Sequence, residues 1–109
     1  MGMVMGSLAA LNFGAAAVYP CEGFIAKEAL KAIDHYECDT AYGVPSMFMG
    51  MLKEYKDHKD RYSLKSLSKG VIAGSICPEE LMRNCKDIMG IEFMSIAYGM
   101  TETSPISFQ

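Results

Sequence analysis

Apolar and polar positions run along this chain with two periods, and the periods predict its elements. Gly2 to Leu11 is apolar on every face and reads as a buried helix. Ala15 to Tyr19 is short and apolar, bounded by Gly14 and Pro20, and reads as a core strand. From Phe24 to His35 the period is helical: Ala26, Ala29, Leu30 and Ile33 share one face, with Lys27, Glu28, Lys31 and Asp34 on the other. Asp39 to Tyr42 reads as a short strand. Pro45, whose fixed φ suits a first helical turn, opens a helix to about Tyr55 that buries Phe48, Met51, Leu52 and Tyr55. Leu64 and Leu67 tuck a connecting loop under the sheet, and Gly70 to Ala73 is the next strand. Pro78 opens another helix. Glu79 and Glu80 suit its positive end, and Leu81, Met82, Cys85 and Ile88 line its inner face. Gly90 stops it, and Ile91 to Ala97 is the last strand.

Strands that alternate with helices imply an α/β fold, a parallel sheet covered by helices and joined by right-handed crossovers. Four strands are predicted, each but the last followed by a helix, as in half of a doubly wound sandwich. Residues 1–109 amount to one domain's worth of chain, with no internal repeat, low-complexity tract or linker.

Half of the residues are hydrophobic, which supports a packed core and argues against disorder. The net charge of −3 is spread over mixed signs and leaves no nucleic-acid footprint. The densest charge run, Lys53 to Arg61, alternates in sign and reads as a solvated helix end and loop. Cys21, Cys38, Cys77 and Cys85 form no Cys-x-x-Cys pair, and His35 and His58 are the only histidines, so neither a zinc site nor a disulfide framework is expected. Reduced thiols in an intracellular compartment fit this scatter. Residues 1–19 lack charge, yet Gly14 and Pro20 divide the run into pieces shorter than the ~20 residues a membrane span needs, and no basic region precedes it.

The most informative segment is Tyr98-Gly99-Met100-Thr101-Glu102-Thr103-Ser104-Pro105. It sets an aromatic face, a glycine pivot, a hydroxyl and a carboxylate just past the carboxyl end of the last predicted strand, where open α/β sheets bind ligands. A ring can stack on a base, a hydroxyl can bond a phosphate oxygen, and a carboxylate can hold a divalent metal. Taken singly, each also has an ordinary role: Tyr98 a half-buried core tyrosine, Thr101 a cap, Glu102 a surface carboxylate.

These residues resemble the Tyr-Gly-x-Thr-Glu signature of the adenylate-forming enzymes, and most closely the medium-chain type of acyl-CoA synthetase. Two further stretches carry the same resemblance. Ala73-Gly74-Ser75-Ile76-Cys77-Pro78 is similar to the family's loop beside the adenine pocket, and Tyr42-Gly43-Val44-Pro45-Ser46-Met47-Phe48 to its Gly-Val-Pro-Thr-Met-Phe segment. The order and spacing of all three fit along the whole chain. Ser75 departs from a frequent glycine, and Ile76-Cys77 from smaller residues.

The resemblance implies a chemistry for each. Glu102 binds magnesium, Thr101 donates its hydroxyl to the α-phosphate, Tyr98 stacks on adenine, Gly99 lets the backbone approach the ligand, and Met100 lines the route to the acyl group. Gly74, Ser75 and Ile76 border adenine through backbone atoms, while Tyr42, Gly43, Val44 and Met47 border an acyl tunnel. Substrates and cofactors would be ATP (leaving as AMP), Mg2+, coenzyme A and a carboxylic, presumptively fatty, acid. An acid is first converted to its acyl-adenylate and then transferred to coenzyme A. The chain resembles a middle slice of the family's large N-terminal domain. The phosphate loop, the downstream ribose-binding aspartate and the C-terminal domain with its catalytic lysine have no counterpart in it. The slice alone is expected to be inactive, to self-associate through apolar surface, and to derive from a cytoplasmic or mitochondrial parent. Other adenylate-forming enzymes (aryl-CoA ligase, luciferase-like enzyme, peptide-synthetase adenylation domain) and a non-catalytic α/β binding or interaction module remain alternatives.

Overall fold

The computed structural model describes residues 2–104, 106 and 107. Three strands, β1 (Thr40–Gly43), β2 (Lys69–Ala73) and β3 (Phe93–Ala97), form a wholly parallel sheet in the order β1-β2-β3. The helices are α1 (Ala9–Asn12), α2 (Ala26–His35), α3 (Pro45–Asp57) and α4 (Glu79–Met89). Helix α3 joins β1 to β2, and α4 joins β2 to β3. Helix α3 packs between α2 and α4, so both crossovers cover one face of the sheet. The α/β class and the parallel sheet are as the residue pattern predicts.

Each helix starts and stops for a local reason. Ile25, extended at φ −127° and ψ 115°, precedes α2, and its carbonyl accepts the Ala29 N–H at 3.0 Å. The predicted start at Phe24 is therefore two residues early. Phe24 instead lays its ring over α3, its Cε1 3.3 Å from where a Cβ on Gly50 would sit. Pro45 opens α3 after extended Val44. Helix α4 ends in a left-handed cap: Gly90 has φ 75° and donates its N–H to the Lys86 carbonyl at 3.2 Å. The next N–H, on Ile91, goes to the Cys85 carbonyl at 3.3 Å. That bond commits Ile91 to the cap, and β3 begins at Phe93 rather than at Ile91.

The core lies between the helices and the covered face. Leu30 and Ile33 enter it from α2, the predicted Phe48, Met51, Leu52 and Tyr55 from α3, and Leu81, Cys85 and Met89 from α4. Met82 and Ile88, predicted for the same face of α4, are only half-buried. Ile72 meets these helices from β2, and Leu64 and Leu67 close the bottom as predicted. The Tyr62 hydroxyl donates to Glu54 Oε1 at 2.9 Å and ties the loop after α3 back to that helix. On the opposite face, Tyr42 (48% exposed) and Phe93 (61%) meet solvent.

The N-terminal third departs from the prediction. A helix does form, wound with π geometry over Gly2–Leu8 and with α geometry in α1, but none of its residues is buried. Leu11 is 78% exposed and Phe13 83%. The principal contacts of α1 are with the π-wound stretch before it, so the apolar faces find no cover. Ala15 to Tyr19 is irregular, not a strand. A strand exists only where a neighbour takes its N–H and C=O groups, and β1 pairs with β2 alone. Among the described residues the sheet therefore has three strands, not the four predicted.

Candidate functional site

A parallel sheet gathers every strand's carboxyl end on one edge, and register sets the levels along it. Gly43 pairs with Ile72, and Ala73 with Ala97. Val44, Gly74 and Tyr98, the next residues of each strand's path, therefore emerge together. The three segments singled out in the sequence follow β1, β2 and β3 and share this edge.

The first two loops touch. Gly74 has φ 93°, a conformation that L side chains rarely adopt, and a Cβ there would lie 3.1 Å from Val44 Cγ1. Glycine is required at this position both by its dihedral and by the close approach of Val44. Gly43 is also hemmed in, with Phe48 Cε2 3.2 Å and Met47 Sδ 3.5 Å from a Cβ placed on it. Met47 is half-buried on the first turn of α3, and Tyr42 lies on the uncovered sheet face. Past Gly74 the backbone is open: Ser75 is exposed and Ile76 is 93% exposed. The Cys77 thiol is half-buried and burial pushes its pKa up, so it is held as an unreactive thiol.

The third segment is the most exposed. Tyr98 is 65% exposed, and Gly99 and Met100 lead into a single 3₁₀ turn, Thr101–Thr103. Ser104 leaves it with φ 54°. Glu102 is exposed on the turn, five residues past the end of β3. Sequence reasoning missed the bonds that shape this loop. Thr103 Oγ1 donates to the Met100 carbonyl at 2.9 Å, accepts the Met100 N–H at 3.3 Å, and accepts the Ser107 hydroxyl at 3.0 Å. The Ser107 N–H donates to the Tyr98 carbonyl at 2.8 Å. The spacing of two hydroxyl residues around Ser104-Pro105 is the signal that could have revealed it.

The third segment carries a single carboxylate, Glu102. No cluster of three or more His, Cys, Asp or Glu side chains able to hold a cation occurs among the described residues. A lone exposed carboxylate suits Mg2+, which keeps several waters and takes one or two carboxylates with the oxygens of a bound phosphate. Two open grooves of about 490 and 410 Å³, one along α2 and one between α3 and α4, include none of the candidate residues. No helix among the described residues is long and apolar enough to cross a membrane.

Comparison with known proteins gives a consistent result. The family model described as AMP-binding enzyme matches residues 1–109. The zebrafish (Danio rerio) mitochondrial medium-chain acyl-CoA ligase ACSF2 is 36% identical over 107 residues, 98% of this chain and 17% of that protein. Acyl-CoA ligase SID4 of Ajellomyces capsulatus is also 36% identical over 107 residues, 98% of this chain and 18% of its own length. The chain thus spans less than a fifth of either relative. Among solved structures, the anthranilate CoA ligase AuaEII in complex with anthranoyl-AMP superposes with a TM-score of 0.71 at 24% identity, over 85% of this chain and 18% of that one. The luciferase-like enzyme of the mealworm Zophobas morio superposes with a TM-score of 0.65 at 16% identity, over 74% of this chain and 19% of that one. At these identities the two structures speak to the fold alone.

Proposed function

The chain belongs to the AMP-binding enzyme family, and from that premise we propose that it is part of the nucleotide-binding domain of an ATP-dependent, AMP-forming acyl-CoA ligase. The observation that carries this reading is the position of the three segments at the carboxyl ends of three adjacent parallel strands, with Glu102 solvent-accessible in the third. The names of the acyl-CoA ligase relatives support it.

In this reading the purine lies against Tyr98 and the backbone of Gly74, Ser75 and Ile76. Gly99 gives the phosphates room. The Thr101 hydroxyl donates to an α-phosphate oxygen, which gains charge as the substrate carboxylate attacks the α-phosphorus and pyrophosphate leaves. Glu102 holds Mg2+, which when bound neutralises phosphate charge for that displacement. The acid is bordered by Met100 and by the segment that carries Tyr42, Gly43, Val44 and Met47. Coenzyme A then takes the acyl group from the adenylate and AMP leaves. An intracellular setting accords with the four free thiols, three half-buried and one, Cys85, buried.

ATP–pyrophosphate exchange in the full-length protein that carries this chain tests the proposal. A panel of fatty and aromatic acids should drive exchange. Glu102→Gln should lower it by at least the roughly 10- to 100-fold that loss of a metal's outer-shell partner costs. Exchange indifferent to both acid and Glu102 would overturn the reading in favour of a non-catalytic binding module. The 109-residue chain alone should show no exchange, since it spans less than a fifth of the relatives' length.

A further inference from the structure

We propose that Thr103 is a positioning residue, whose hydroxyl, together with Ser107, locks the turn that presents Thr101 and Glu102. The proposal rests on the reading of Glu102 as the metal-holding carboxylate. A hydroxyl offers one donor and two acceptor sites, and Thr103 uses all three: on the Met100 carbonyl, the Met100 N–H and the Ser107 hydroxyl. Ser107 then fastens its own N–H to the Tyr98 carbonyl, so the segment from Tyr98 to Ser107 closes on itself. Among the described residues, two backbone bonds add to this, the Thr103 N–H to the Met100 carbonyl at 3.1 Å and the Ser104 N–H to the Thr101 carbonyl at 3.2 Å. Thr101, Glu102, Thr103 and Ser104 are all exposed and the turn buries none of its residues, so it has no packed core to hold its shape. A carboxylate that must meet a metal together with phosphate oxygens gains from a backbone fixed in advance, because ordering it on binding would weaken the complex. The lock leaves the chemistry-bearing groups of Thr101 and Glu102 free of these bonds.

Three variants in the full-length protein test this. Thr103→Val keeps shape and removes every bond of the hydroxyl, Thr103→Ser restores the hydroxyl, and Glu102→Gln removes the carboxylate itself. The first measurement is amide hydrogen exchange without ligands. Thr103→Val should speed exchange at Met100 and Ser107 by about fivefold, as expected for one lost hydrogen bond, while amides in α3 and β2 stay unchanged and Thr103→Ser remains near wild type. The second is Mn2+ binding in the presence of ATP, followed by electron paramagnetic resonance, alongside the Mg2+ requirement for pyrophosphate exchange. Both should weaken about tenfold in Thr103→Val and recover in Thr103→Ser. Unchanged amide exchange in Thr103→Val would overturn the lock. Faster amide exchange with unaltered metal binding would reduce Thr103 to a loop residue and overturn its positioning role. Wild-type metal binding in Glu102→Gln would remove the carboxylate's assignment, and this proposal with it, even with the loop bonds intact.

Discussion

Gly74 shows how one residue can join two loops. Its φ of 93° is one that side-chain-bearing residues rarely adopt, and a Cβ there would press on Val44 Cγ1 at 3.1 Å. Gly74→Ala should therefore cost about 1–2 kcal/mol, the usual penalty of a left-handed non-glycine residue, plus a contact term that Val44→Ala relieves. Urea midpoints of the two single variants and the double variant separate these parts. Cys85 gives a second residue-scale prediction. Burial, with a smaller push from neighbouring Cys77, raises its thiol from 9.0 to about 11. Between those values the unfolded chain releases a proton that the folded chain keeps, so stability falls as pH rises from about 9 to about 11 and levels off above. Cys85→Ala should flatten that decline, by an amount on the order of 2 kcal/mol, when unfolding is measured from pH 8 to 11.

At the scale of elements, helical periodicity proved the most legible feature of the sequence. The stripe Phe48, Met51, Leu52 and Tyr55 is buried as predicted, because a helix turned toward a core leaves a regular mark. Leu64 and Leu67 were equally plain. The N-terminal apolar run was misread because hydrophobicity demands cover without saying what supplies it. Likewise, Ala15 to Tyr19 has strand composition but no pairing partner. At the site, segment order and strand polarity were legible, whereas the Thr103 hydroxyl's three bonds depend on a fold-back no periodicity reports. Strand β2 carries its own prediction. A Cβ on Gly70 would sit 2.5 Å from Met94 Sδ and 3.4 Å from Ile91 Cγ2. Met94 is flexible and can yield, so Gly70→Ala should cost about 1 kcal/mol and Gly70→Val about 3 kcal/mol, the span usual for overpacking. Met94→Ala should recover part of each loss in a double-mutant cycle read by chemical denaturation.

For the molecule as a whole, apolar surface is distributed unevenly. Leu11, Phe13 and Tyr19 in the N-terminal third and Phe93 on the uncovered sheet face are all more than 60% exposed. We propose that the isolated chain self-associates through this surface. Sedimentation velocity should show mass rising with concentration, and the double variant Leu11→Glu with Phe13→Glu should shift it toward monomer without altering the unfolding midpoint. A monodisperse wild-type monomer at high concentration would refute the proposal. The strand order bears on the ligand in another way. It runs β1-β2-β3 without reversal among the described residues, whereas nucleotides in open α/β sheets settle where the order turns back on itself. On the reading proposed above, residues 42 to 47, 74 to 76 and 98 to 102 border the nucleotide from one side, so the affinity of the 109-residue chain for AMP, read by titration, should fall well below that of the full-length protein.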